Sequence, residues 1–395
     1  MKRLVIDSEN TTFQKGNPFS RRNKCCAIAW LIATDDGIKA DVIPWEYGGP
    51  VSRDYILVAE ELIEDAELLI GFNLKYDLHW LRKCGIIESY SSLNCELWDC
   101  QLAQFIISNQ QMRYPSLNKT CEYWKLEQKL DVVEKEYWAL GIDTPDVPWE
   151  ILSDYAKKDV DLTYEVYQKQ QEYLMDKPEL LKLIQLSCND LIVLAEMEWN
   201  GLKYDVKESA IRAEKLQKEI KEIDANIKSI VGNYEFNFNS NDHVSVLLYG
   251  GIIKFVTSTV YEHTYKSGPK VGLTEPRFRH TKTEIKFPRL VEPLERSELA
   301  KSGYWSTDES VLNQLKATGK AKQMIQHLLR RSELERLEST YYRGFPKKIL
   351  EMDWEEGMIH SQLNQCVAVT GRLSSSGHNQ QNIPPEVNEL VQTRF

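Results

Sequence analysis

Hydrophobic residues recur with two periods along the chain, and the switches between them mark its elements. Residues 2–7, 25–34 and 37–45 carry the short apolar runs of strands. The run Cys25-Cys26-Ala27-Ile28-Ala29-Trp30-Leu31-Ile32-Ala33 is apolar throughout, as in a central strand covered on both faces. Asp35-Asp36-Gly37 is a hairpin turn signal. A helical pattern covers 53–65, and Leu68-Leu69-Ile70-Gly71-Phe72 reads as a buried strand. Helical patterns follow at 75–84, 99–108, 116–125 and 150–174. Strands alternating with helices predict an α/β sandwich around a mixed sheet.

The pattern changes in the second half. A long amphipathic helix is predicted at 206–231, with Ile211, Leu216, Ile220, Ile223, Ile227 and Ile230 as its apolar stripe and Gly232-Asn233 as its stop. A second, charged helix is predicted at 321–341, followed by Gly344 and Pro346. Packed antiparallel, the two would form a stalk, either a plain spacer or a phosphate-gripping arm. Between them, residues 250–305 are punctuated by Gly, Pro, Thr and Lys, with strand-like runs such as Thr283-Glu284-Ile285-Lys286-Phe287. This predicts a β-rich insertion at the tip of the arm, which could touch DNA, bind a partner or fill space.

Length and composition set the frame. The 395 residues suffice for two or three domains, and 42% hydrophobic with 27% charged residues is ordinary for a globular chain. No run of eighteen apolar residues exists, and Met1-Lys2-Arg3 lacks a signal peptide's apolar segment, so a cytoplasmic protein without membrane spans is expected. The eight cysteines show neither a CxxC pair nor zinc spacing and are expected reduced and buried. The net charge of −10 is unevenly spread. Residues 1–170 hold 19 Lys and Arg against 28 Asp and Glu; residues 251–350 hold 19 against 11. An acidic front and a basic later segment suit a metal-dependent site joined to a phosphate-binding surface.

The chemistry starts at Leu4-Val5-Ile6-Asp7-Ser8-Glu9-Asn10. On a strand, Asp7 and Glu9 point to one face. Two carboxylates held close away from water repel, and a hard divalent cation such as Mg²⁺ or Mn²⁺ relieves that repulsion. The plainer reading is a solvated strand end. Asp77, in Gly71-Phe72-Asn73-Leu74-Lys75-Tyr76-Asp77, lies in the first turn of a helix after a buried strand, where a carboxylate is favoured in any case. Tyr155 and Asp159 stand four apart on one face of the 150–174 helix. Asp154 and Asp161 are expected to be solvated.

In combination, these residues resemble the DEDD exonuclease superfamily in its tyrosine branch, over about residues 1–170. That resemblance implies a ribonuclease H-like fold and two divalent cations. Asp7 would bridge both. Glu9 and Asp159 would complete the site of the one holding the attacking water, and Asp77 would serve the second, partly through water. Tyr155 and Glu9 would orient that water, since a phenol with a pKa near 10 is a poor base at neutral pH. Asn73 is either a contact for the 3′-terminal nucleotide or a turn residue.

A later stretch, Val367-Ala368-Val369-Thr370-Gly371-Arg372-Leu373-Ser374-Ser375-Ser376-Gly377-His378-Asn379-Gln380-Gln381-Asn382-Ile383-Pro384, is similar to the family A DNA polymerase motif where palm and thumb hold primer and template. The stretch 194–205 and Glu338-Ser339-Thr340-Tyr341 agree with it. The resemblance implies DNA contacts by Arg372, Asn379, Gln381 and Asn382; His378 and Gln380 depart from the family pattern. The expected order is an exonuclease domain at 1–175, a mainly helical thumb at 176–350 and a partial palm at 351–395. The chain stops at Phe395 before the polymerase metal acids, so it is expected to be a truncated polymerase or the front piece of a split, phage-like one completed by a second chain. The expected function is a metal-dependent 3′→5′ DNA exonuclease. The rivals are a non-catalytic DNA-binding or assembly subunit and a ribonuclease D-like RNA trimmer.

Overall fold

The first strand carries the site, and its neighbours explain its place. In a computed structural model that describes residues 1–377 and 380–392, β1 (Arg3–Asn10) is the middle strand of a five-stranded sheet. On one side it pairs antiparallel with β2 (Cys25–Thr34), which pairs antiparallel with β3 (Gly37–Pro44). After α1 (Arg53–Glu64), β4 (Leu68–Gly71) joins the other side of β1 in parallel. Then come α2 (Leu74–Lys83) and β5 (Glu96–Asp99), which is parallel to β4. The sheet is therefore mixed, in the order β3-β2-β1-β4-β5, in agreement with the predicted α/β class. β5 gives no signal in the sequence, because only Leu97 and Trp98 of its four residues are apolar.

Helices α3 (Cys100–Ile107), α4 (Leu117–Trp124), α5 (Val132–Glu136), α6 (Trp149–Leu174) and α7 (Pro178–Asn200) follow. Burial of Leu152, Ala156, Val160, Leu162 and Val166 on α6 against β1 and β2 closes the core. Six cysteines are buried, and Cys84 and Cys95 are half-buried; all eight are free.

The chain forms two compact units, Met1–Val206 with Phe345–Phe395, and Lys207–Gly344. In the first, β6 (Leu202–Tyr204) lies at the end of α7. In the second, α8 (Val206–Val231), α9 (Asn241–Tyr249), β7 (Gly251–Thr264), β8 (Thr274–Phe287), α10 (Glu309–Leu312) and α11 (Gly319–Arg336) follow one another. Helices α8 and α11 are antiparallel: Gln217 meets Glu338 just beyond α11, while Asp224 meets Arg331. Ile223 and Ile227 are buried with Met324, Ile325 and Leu328, and Leu216, Ile220 and Ile230 pack beside them. Ile211 departs from the predicted stripe and is 62% exposed. The predicted 321–341 helix ends at Arg336 and passes into a wider turn at Leu337–Tyr342.

After α12 (Gly344–Met352) the chain returns to the first unit. There β9 (Met358–Ile359) and the terminal β12 (Val391–Gln392) flank β6, and β10 (Gln362–Asn364) pairs with β11 (Ser374–Ser376).

Candidate active site

β1 runs on past the end of β4, and this overhang creates the site. The parallel ladder stops at Val5 opposite Ile70, so the Ser8 N–H has no strand partner on that side. Asp77 fills the gap: its Oδ1 accepts from Ser8 N at 3.0 Å and from Ser8 Oγ at 2.7 Å. On the β2 side, Asp7 faces Ala29 and Glu9 faces Ala27, small residues that leave room beside both acids. The register shifts between Glu9 and Asn10, where the strand bends away.

Helix α2 is placed by a residue that carries no functional signal in the sequence. Asp99, 4% exposed at the end of β5, accepts from Asn73 N at 3.1 Å and Leu74 N at 3.0 Å, the start of α2. It also accepts from Gln101 N at 2.8 Å and Leu102 N at 3.2 Å, the start of α3. One carboxylate thus caps two helices. Gly71 is needed just before, since a Cβ there would lie 2.8 Å from Leu74 Cδ1. We expect Asp99→Ala to cost about 2–4 kcal/mol, two lost caps at roughly 1–2 kcal/mol each, read as a lower urea midpoint; an unchanged midpoint would refute the double cap.

Asp7, Glu9 and Asp159 each bring one carboxylate oxygen within 4.8 Å of the others. Glu9 and Asp159 are buried and Asp7 is half-buried. Burial pushes the Asp7 carboxyl up to about 6, with Lys129 pulling it down. Burial, then the Asp7 charge, lifts Asp159 to about 7. Glu9 and Asp77 are held well above the usual range, by burial first and then by Asp7. Asp159 Oδ1 is buried and has no hydrogen-bond partner among the described residues. The donor set is all hard oxygen, carries several negative charges and keeps one oxygen free. It fits a divalent cation.

Lys129, on the loop between α4 and α5, is the second residue that the sequence does not reveal. Its Nζ lies 3.2 Å from Asp159 Oδ2 and 2.8 Å from Glu134 Oε1, and donates to the Tyr155 hydroxyl at 2.6 Å. The loop is pinned by Asn118 Oδ1, which accepts from Lys129 N at 3.0 Å. Burial alone would lower the ammonium's pKa; the Asp159 and Glu134 charges overcome it and hold the pKa up. Tyr155, 2% exposed, donates to Glu134 Oε1 at 3.2 Å, and its hydroxyl is held far above its usual pKa, by burial and then by Glu9. The phenol is therefore neutral and can only donate, accept and orient. Tyr155 and Asp159 are both buried. Asp154 is exposed as expected, and Asp161 is half-buried.

The other predicted site residues are dispersed. Asn73 is exposed, in the left-handed backbone region at φ 64°, and its side chain caps nothing. Arg372, Gln381 and Asn382 are exposed, and Gln381 Nε2 donates to Leu373 O at 3.3 Å. His378 and Asn379 lie outside the described residues.

A mixed five-stranded sheet whose central strand presents paired acids, completed by a helix bearing Tyr155 and Asp159, defines the class of 3′-5′ exonuclease domains. Residues 3–175 match the 3′-5′ exonuclease family, and residues 283–395 match DNA polymerase family A. The chain thus carries a match to a 3′-5′ exonuclease followed by a match to DNA polymerase family A. It is similar to DNA polymerase I of Synechocystis sp., 26% identical over 79% of this chain and 26% of the relative. DNA polymerase I of Pseudomonas aeruginosa is 25% identical over 85% of this chain and 32% of the relative. The chain thus spans about a quarter to a third of the length of these curated relatives. The fold resembles the POL domain of Pol1 from M. smegmatis in complex with DNA primer-template and dNTP, with a TM-score of 0.64, 16% identity, and coverage of 97% of this chain and 52% of that one. Among the described residues no helix is long and apolar enough to cross a membrane.

Proposed function

We propose that this chain removes nucleotides from the 3′ end of DNA, with Asp7, Glu9, Asp77 and Asp159 holding two divalent cations, Mg²⁺ or Mn²⁺. The observation that carries the reading is the convergence of Asp7, Glu9 and Asp159 beside a neutral, anchored Tyr155. When bound, such cations stabilise negative charge on the attacking and leaving oxygens of an in-line displacement. The side chains do the rest. Asp7, Glu9 and Asp159 form the tight ligand group, and Asp77, committed to Ser8 through one oxygen, offers the other. Tyr155 and Glu9 orient the attacking water. Lys129 holds the phenol and Asp159 in one arrangement. Asn73 and, in the polymerase segment, Arg372, Asn379, Gln381 and Asn382 contact DNA.

The same reading assigns 1–175 to the exonuclease, 176–350 to a thumb and 351–395 to the start of a palm; the antiparallel α8 and α11 support the thumb. It includes a second polymerase chain as a partner. DNA synthesis appearing when the product of a neighbouring gene is added would support that partner, and absence of both synthesis and a complex would remove it.

The test is release of mononucleotides from 3′-labelled DNA with Mg²⁺, compared with EDTA. Release from RNA but not DNA would favour the RNA trimmer, and no release from either would refute the reading. A second readout needs no turnover. Asp7 and Asp159 have folded pKa values above their unfolded ones, so the cation-free protein is favoured at low pH. It loses that advantage as pH rises toward about 6 to 7. Cations bind the ionised acids. The rise in Tm on adding Mn²⁺ is therefore expected to grow between about pH 5.5 and 8; a rise independent of pH would contradict these ligands.

A further inference from the structure

The ribbon formed by β7 and β8 has no role in the chemistry above. Its strands pair without interruption from Gly251 opposite Phe287 to Thr264 opposite Thr274. Fourteen residues at about 3.4 Å each make a strip roughly 45 Å long. Only its base is covered: Ile253 and Phe287 are buried, with Phe255 and Ile285 beside them. Beyond these, almost every residue on both faces is exposed. A lone two-stranded ribbon is marginal in water, so a long bare one calls for an occupant.

Its charge identifies the occupant. Residues 251–287 hold seven Lys and Arg against three Asp and Glu, in a chain whose net charge is −10. Glu284 is paired with Lys254 and Glu275 with Lys270. Among the described residues, Lys266, Arg277, Arg279, Lys282 and Lys286 have no carboxylate within ion-pair distance. Arg279 and Arg277 follow each other on one face. Arg279 lies over the Tyr261 ring at 5.0 Å, and Arg277 over the Tyr265 ring at 5.0 Å, with its Nη2 donating to the Tyr265 hydroxyl at 3.0 Å. The rings hold the guanidiniums in place at little conformational cost and leave N–H edges to solvent.

We propose that the outer half of this ribbon binds the phosphate backbone of duplex DNA, independently of sequence. Duplex DNA carries one charge per about 1.7 Å of axis, and its major groove admits a two-stranded ribbon. Most of the ribbon, up to residue 282, lies outside both matched segments, so this grip is additional to what they supply. The opposite face carries Lys282 and Lys286 but also exposed Val256, Val260 and Phe278, which makes a protein partner the rival occupant.

The experiment measures binding of the full chain to a fluorescent duplex of about 30 base pairs in EDTA, where hydrolysis plays no part, so its failure is separate from failure of the exonuclease reading. Arg277→Ser, Arg279→Ser and Lys282→Ser are combined in one variant. In a second, residues 257–281 are replaced by an Asn-Gly turn. Affinity at about 100 mM salt is expected to fall at least tenfold in both. The slope of log K against log salt is expected to shrink by about 2 to 3, close to 0.9 for each phosphate no longer neutralised. Arginine-to-lysine replacements should retain the slope. Unchanged affinity and slope, a loss confined to single-stranded DNA, or loss of self-association with duplex binding intact would each overturn the proposal.

Discussion

Asp7→Asn will nearly abolish release of 3′ nucleotides while making the cation-free protein more stable. The activity loss follows from geometry. Asp7 belongs to the tight carboxylate group proposed to hold the cations and also raises Glu9, Asp77 and Asp159. Outer partners of a metal ligand already cost about 10–100-fold, so loss of a ligand should exceed a hundredfold. The stability gain follows from charge. With its pKa pushed to about 6, Asp7 is ionised at a cost above that pH, and its charge burdens three neighbours. An amide of the same shape removes this, for roughly 1–3 kcal/mol at pH 8 and a rise of a few degrees in Tm. Below about pH 4, where the carboxyl is protonated in the unfolded chain as well, the difference should vanish. A variant that is less stable at pH 8, or that keeps more than a tenth of the activity, would refute the assignment.

Glu198→Ala will cost about 3–5 kcal/mol, the largest stability loss expected from a single change in the first unit. Glu198 is 3% exposed on α7. Its Oε1 accepts from Lys75 Nζ and from Leu363 N, both at 2.5 Å, and its Oε2 accepts from His79 Nε2 at 2.8 Å. His79 Nδ1 in turn accepts from the Tyr90 hydroxyl at 2.6 Å, and burial holds the imidazole neutral. Burial pushes the Glu198 carboxyl up, but the His79 hydrogen bond and the Lys75 charge outweigh it and hold the pKa below the usual range. Alanine would leave the half-buried Lys75 ammonium with Leu363 O as its remaining acceptor and strand two buried N–H groups. Glu198→Gln, which keeps the acceptor, should cost less than half as much. Urea unfolding decides; a loss under about 1 kcal/mol for alanine would mean that water replaces the carboxylate.

The sequence displays what depends on spacing and conceals what depends on path. β1 to β4 have clear apolar runs, and the four acids with Tyr155 are recognisable because each sits in a fixed local context. Lys129 and Glu134 have no such signal. They reach Tyr155 and Asp159 only because the loop after α4 folds back, held by Asn118. In the sequence Asp99 looks like one more acid at a helix start, and its double duty depends on two helices starting side by side. β7 and β8 are legible as β-rich from composition, yet their unbroken fourteen-residue pairing is not, because polar residues on both faces erase the alternation that marks a half-buried strand.

The shared cap has a mechanical consequence. Because one carboxylate grips the leading turns of α2 and α3, neither helix can pivot without dragging the other and breaking buried hydrogen bonds. Asp77, one turn further along α2, is tied to Ser8 on the central strand. The backbone around the acids thus behaves as a single rigid frame, and any adjustment to an incoming charge falls to torsions about side-chain bonds. Such a frame is organised before its ligand arrives, and the repulsion among its acids is sustained by the surrounding core rather than relaxed by movement.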